Sequence, residues 1–65
     1  MYYLIDIART ITNNKTMFWR ENKKGYTKDI TDAGIYGEIE ALIICKEDID
    51  KDTVMLPIGE NRRIR

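Results

Sequence analysis

The spacing of apolar and polar positions changes character twice along this chain. From Tyr2 to Ile7, YYLIDI is rich in aromatic and β-branched residues and roughly alternates. Tyr3, Ile5 and Ile7 fall on one side, Tyr2, Leu4 and Asp6 on the other. That pattern predicts a strand. Thr10 to Lys15 carries Asn13 and Asn14, which tolerate left-handed backbone and hydrogen-bond their own turns, so a turn is expected there. Thr16 to Arg20, TMFWR, predicts a second strand and Tyr26 to Lys28 a third. Between them Glu21 to Gly25, ENKKG, is a polar loop ending in glycine, suited to a four- or five-residue hairpin connection.

Asp29 to Gly37 holds two glycines and two aspartates and reads as a connector. After it the period becomes helical: Ile35, Ile39, Leu42 and Ile43 form one stripe with Lys46 at its edge. A helix is predicted over about Glu38 to Lys46, with Gly37 as N-cap, Glu38 and Glu40 at its positive start and Lys46 near its end. Ile39, Leu42 and Ile43 are expected in the core with Trp19, so that Leu42→Ala costs about 2–5 kcal/mol. Glu47 to Asp52 is an acidic, solvated turn. Thr53 to Leu56 predicts a last strand, stopped by Pro57 at a sheet edge. Residues 59–65 form a basic tail, expected to be flexible. The order β-β-β-α-β predicts an α+β fold, a small and mostly antiparallel sheet with one helix on one face. It forms a single domain over residues 1–65.

Length adds a constraint. A chain of 65 residues buries only about 60% of the surface its unfolded form exposes. One cysteine and no histidine leave no intramolecular disulfide and no zinc site. A homo-oligomer is therefore expected as the source of further burial. The longest apolar run, Ala41 to Cys45, is far short of a membrane span, and MYYLIDIAR lacks the basic start of a signal peptide. With a free Cys45, the chain reads as cytoplasmic, without a membrane partner.

Net charge is zero, but the charges are segregated. Arg9 to Lys28 carries six basic residues against Glu21, and Asp29 to Asp52 carries eight acids against Lys46 and Lys51. A zero total does not suit a duplex-DNA binder, which relies on many phosphate contacts. Two readings stay open: a local cationic patch for a small anion, or two faces that attract each other between subunits.

With Glu21 to Gly25 as the loop, Arg20 is expected opposite Tyr26, Trp19 opposite Thr27 and Phe18 opposite Lys28. Phe18, Arg20, Tyr26 and Lys28 then share a face away from the helix. With Lys24 and Tyr36 they make a candidate ligand site, in which rings stack on a base and cations take phosphate oxygens. Lys23, Arg62, Arg63 and Arg65 are further cations within reach. The alternative is a subunit interface with Arg20 stacked on the rings. No catalytic residue, cofactor or metal is expected. There is no Ser, no His, and no glycine spacing of a phosphate loop, and the acids near the helix start suit its dipole. Cys45, inside an apolar run, reads as an inert thiol.

Phe18-Trp19-Arg20, Gly25-Tyr26-Thr27 and Ala33-Gly34-Ile35-Tyr36 together resemble a type of small phage-encoded protein. That type carries an aromatic–Trp–basic start, a polar loop, GYT, and AG-x-Y before a helix. The resemblance covers about Met17 to Ala41. Gly37 stands where Ser or Thr commonly caps the helix in that group, and Glu21 where Pro often follows the basic residue. The resemblance implies a phage anti-defence protein that binds and sequesters a nucleotide-type immune signal in the host cytoplasm. The alternatives are a protein-binding inhibitor of a host defence or metabolic enzyme, with Glu47 to Asp52 as its contact, and a small nucleic-acid-associated accessory protein.

Overall fold

The computed structural model describes residues 1–59; the expected basic tail lies, from residue 60 onward, outside the described residues. The chain is an α+β fold. Strands β1 (Tyr2–Asp6), β2 (Phe18–Trp19), β3 (Tyr26–Thr27) and β4 (Thr53–Pro57) form one antiparallel sheet in the order β3-β2-β1-β4. Helix α1 (Ile7–Asn13) joins β1 to β2, and α2 (Glu38–Glu47) lies between β3 and β4 in the chain. Short 3-10 turns occupy Glu21–Lys23 and Ile30–Asp32.

Alternation along β1 sends Leu4 inward, opposite Met55 of β4. Leu4, Tyr36, Ala41 and Ile44 form the buried core, with Tyr2, Trp19, Cys45 and Met55 packed around it. Where β2 has ended, Tyr36 takes its place beside β1. It exchanges two backbone hydrogen bonds of 2.8 Å with Tyr2.

Three expectations are corrected. First, there are two α-helices. Asp6, the last residue of β1, is also the N-cap of α1, accepting from the Arg9 amide at 2.8 Å, so Ile7, expected in the strand, starts a helix. The left-handed backbone expected of the Asn pair is found at Asn14 (φ 57°), where it ends that helix rather than forming a simple turn. Helix α1 is only seven residues long and buries none of them, so Ile7, Ala8 and Ile11 make too short a pattern to mark a helix.

Second, the hairpin is shifted by one residue. Gly25 pairs with Arg20, whose amide donates to the Gly25 carbonyl at 2.8 Å, so only Glu21 to Lys24 form the loop. Trp19 therefore faces Tyr26, and Phe18 faces Thr27. Asn22, Lys23 and Gly25 all take positive φ (56°, 59° and 106°), a tight reversal that a longer loop does not need. A one-residue slip moves every side chain to the opposite face. Tyr26 thus joins Trp19 on the core side, leaving the expected set of Phe18, Arg20, Tyr26 and Lys28.

Third, α2 turns its other side to the core. Ala41 is fully buried and Ile44 nearly so, while Ile39 is 74% exposed and Leu42 and Ile43 each 50% exposed. Small Ala41 lets the helix come close to Leu4 and Tyr36. Leu42→Ala thus removes a half-exposed side chain and not a core one. Trp19 does pack against the core, as expected.

Candidate functional site

The resemblance motif is largely a clasp on the backbone. The Tyr36 hydroxyl donates to the Arg20 carbonyl and accepts from the Lys23 amide at 3.2 Å. It thereby holds the loop at Lys23, which with Asn22 takes positive φ without being glycine. Gly34 donates to the Trp19 carbonyl at 2.8 Å, and a Cβ there would lie 2.5 Å from Glu21 Cα and N. Only glycine allows these two strands of chain to touch. AG-x-Y is thus a close approach followed by a reach back across the hairpin.

The six candidate ligand residues do not converge. Tyr36 and Phe18 are buried, Phe18 edge-on to Tyr3 at 5.7 Å. Arg20 and Lys24 do come together, in a depression of about 410 Å³ that also contains Glu21 and Asp32. Lys28 lines a separate one with Lys15 and Ile30. Tyr26 faces a third. The register shift parts Tyr26 from Arg20, and β3 ends at Thr27, before Lys28.

That third space is a cleft of about 500 Å³ at the end of the sheet where β1 stops. Trp19 and Tyr26 lie edge-to-face at 5.7 Å and give it an aromatic wall. Arg9, on α1, sets its guanidinium 4.1 Å from the centre of the Tyr26 ring and 3.7 Å from the Asp6 carboxylate. Glu47, Asp48, Asp50 and Asp52 supply the acidic part of the rim, and Lys23 adds a second cation beside Arg9. The C-terminus of α2 ends here too and adds its own partial negative charge.

Asp48 organises this rim. Its carboxylate accepts from the Thr53 hydroxyl at 2.6 Å, from the Asp52 amide at 3.1 Å and from the Asp50 amide at 3.2 Å. The Thr53 bond above all holds its carboxyl below the usual range, against a smaller opposing effect of burial. Among the described residues, Glu47, Asp50 and Asp52 make no ion pair, so their charge faces the cleft and solvent. Burial, with the charge of Asp48 behind it, pushes the Cys45 thiol up and keeps it protonated at neutral pH. The Trp19 indole nitrogen is buried without a hydrogen-bond partner. No three metal-ligating side chains among the described residues are arranged to hold a metal ion, and no helix among them is long and apolar enough to cross a membrane.

Sequence reasoning missed Arg9, Asp6 and the organising role of Asp48. Two signals were present. Asp6 stands three residues before Arg9, the spacing of an N-cap, and Asp48-x-Asp50-x-Asp52-Thr53 is the spacing of a side chain that gathers the following amides. The cleft as a whole is suited to an organic cation: aromatic faces to lie on, carboxylates to pair with, and a helix C-terminus nearby. No known protein family, curated protein or solved structure matches the chain.

Proposed function

We propose that the chain is a non-catalytic binding protein that grips a protein partner by an arginine or lysine side chain seated in the acidic, aromatic-walled cleft. Arg9 is the observation that carries this reading. Of the two cations that line the cleft, Arg9 and Lys23, it is the one held on a ring and beside a carboxylate, in the manner an incoming guanidinium would be. Its side chain is half exposed, so it can move aside for a guest. A cation over an aromatic ring contributes about 0.5–2 kcal/mol, and unpaired carboxylates around it raise the rate of encounter with a basic surface.

This is the inhibitor alternative of the sequence reading, with the acidic segment as contact. Occupying the basic surface of a host enzyme is the form it takes in the anti-defence role that the resemblance implies. A nucleotide is the poorer guest. A base stacked on Tyr26 would bring its phosphates toward Glu47, Asp48, Asp50 and Asp52, where like charges repel. Among the described residues Arg20, Lys24 and Lys28 line other depressions, and Lys23 joins Arg9 in this one against the carboxylates of Asp6, Glu47, Asp48, Asp50 and Asp52.

Trp19 is the only tryptophan, so its emission reports on the cleft directly. Titration with an arginine-rich peptide should shift that emission in a salt-sensitive manner, and titration with ATP should leave it unchanged. Glu47→Gln combined with Asp50→Asn should weaken the peptide about tenfold. A response to ATP with none to the peptide would overturn the proposal in favour of nucleotide sequestration.

A further inference from the structure

Helix α2 is apolar on both sides, and the core takes only one of them. Ala41, Ile44 and Cys45 turn toward the core, whereas Ile39, Leu42 and Ile43 stand in solvent. At 3.6 residues per turn the exposed three fall on a single stripe with Lys46, opposite the buried three. Scattered exposed apolar residues are ordinary, but a contiguous stripe of branched side chains is the mark of an interaction surface. A helix apolar all round belongs in contact on both sides.

We infer that this stripe is the interface of a homodimer in which two copies pack α2 against α2, antiparallel, about a two-fold axis between Leu42 and Ile43. The charges around the stripe select a second copy. Glu38 flanks it on one side, Glu40 and Glu47 flank it on the other, and Lys46 stands on it near its C-terminal end. Antiparallel packing about that axis sets Leu42 against the partner's Ile43. It also brings Lys46 level with the partner's Ile39, between the partner's Glu38 and the partner's Glu40. Symmetry makes each contact twice. Parallel packing would instead bring the two Lys46 side chains together and align the helix dipoles unfavourably.

The size of the surface sets the strength. Ile39, Leu42 and Ile43, with the exposed Ile35 just before the helix, offer well under the ~800 Å² that each partner gives a standard interface. A weak, reversible dimer is expected, with dissociation in the micromolar range or above. This surface adjoins the acidic cleft at Glu47 but shares none of its apolar residues with it, and the inference stands whether or not the cleft binds a basic partner.

The test is sedimentation velocity on the full chain from about 1 to about 300 μM, a range over which mass action shifts such a dimer. The mass should rise from one chain to two. Leu42→Glu should raise the dissociation constant at least tenfold while the far-ultraviolet circular dichroism stays that of the parent. Should that variant melt early, Ile39→Lys at the more exposed position makes the same test. Glu38→Lys alone and Lys46→Glu alone should each weaken the dimer, and the two together should restore it, because the charges are then exchanged across the same contact. A single-chain mass at every concentration would overturn the inference. So would a dimer indifferent to Leu42→Glu and Ile39→Lys, or a double exchange that fails to restore association.

Discussion

Polar groups gather just before and just after helix α2, and the two sets fare differently. At the Tyr36 end they are spent on each other: the hydroxyl satisfies a carbonyl and an amide at once, and Gly34 lies flush against the Arg20–Glu21 backbone. At the Asp48 end one carboxylate gathers the loop, but Glu47, Asp50 and Asp52 are left facing a cleft. Saturated groups hold a fold together, and unsaturated ones have affinity left for something else. Aromatic and basic residues close in sequence were therefore a guide to the clasp, while the open chemistry lay among the acids.

The comparison breaks most sharply at Gly34. Gly34→Ala drives a methyl group against backbone atoms 2.5 Å away, which cannot move as a side-chain tip does. A loss of about 3 kcal/mol or more is expected, comparable with the whole stability of a domain this size. Gly37→Ala, where a Cβ meets nothing within 4 Å, should cost no more than about 1 kcal/mol, the difference between glycine and alanine as a helix N-cap. Urea titration followed by circular dichroism measures both; equal effects would mean that the close approach is not what holds the clasp.

Tyr36→Phe comes next. It leaves the Arg20 carbonyl and the Lys23 amide without their partner, at a cost of about 1–3 kcal/mol. Lys23→Gly in that background should recover part of the loss, because glycine removes the roughly 1 kcal/mol penalty of left-handed backbone. Burial raises the Tyr36 hydroxyl above its ordinary value, the Lys23 amide opposing it more weakly. Its contribution is thus complete below the unfolded value of ~10 and lost as pH rises through the higher folded one. Tyr36→Phe should flatten the alkaline limb of the stability profile.

How much of this was legible depended on what each residue contacts. The α+β class and four strands followed from local alternation, because each strand has one face toward the core. The hairpin register did not, since it hinges on whether Gly25 belongs to the loop or pairs with Arg20, and composition is the same either way. Helix α2 was found at the right place but rotated. Its apolar residues form two stripes, and nothing in the sequence says that the one containing Ala41 approaches Tyr36. The clasp was visible as a motif without its meaning, which required Gly34 to be seen against Glu21. The cleft was least legible, because it draws Arg9, Tyr26 and Asp48 from three separate parts of the chain.

At the open end, the comparison is sharpened by acid. Asp48 is held below the usual carboxylate range, first by Thr53 and further by the Asp50 and Asp52 amides. A depressed folded value means that its contribution is present above the unfolded value of ~3.9 and is lost as pH falls through the folded one. Parent and Asp48→Asn should differ in thermal stability near neutrality and converge below about pH 4, by less than the clasp variants differ. A gap that persists at pH 2 would mean that Asp48 acts through its shape and not its charge.

The smallest effect lies where the clasp passes into α2. Gly37 caps that helix with extended backbone (φ −71°, ψ 164°) but has no side chain to offer the amides of the first turn. At the other end Asp48 gathers three donors. Gly37→Ser fits without strain, because φ is negative and the space around a Cβ is empty. The serine hydroxyl would accept from the Glu40 amide, while the Glu40 carboxylate is placed to reach back to the backbone of residue 37, completing a capping box. The gain is a few tenths of a kcal/mol, since glycine is itself a tolerable cap, and it should appear as a rise in the melting midpoint with no change in association. A Gly37→Ser variant that is less stable than the parent would show that residue 37 needs a freedom the clasp imposes on it, extending the tightly held region one residue into the helix.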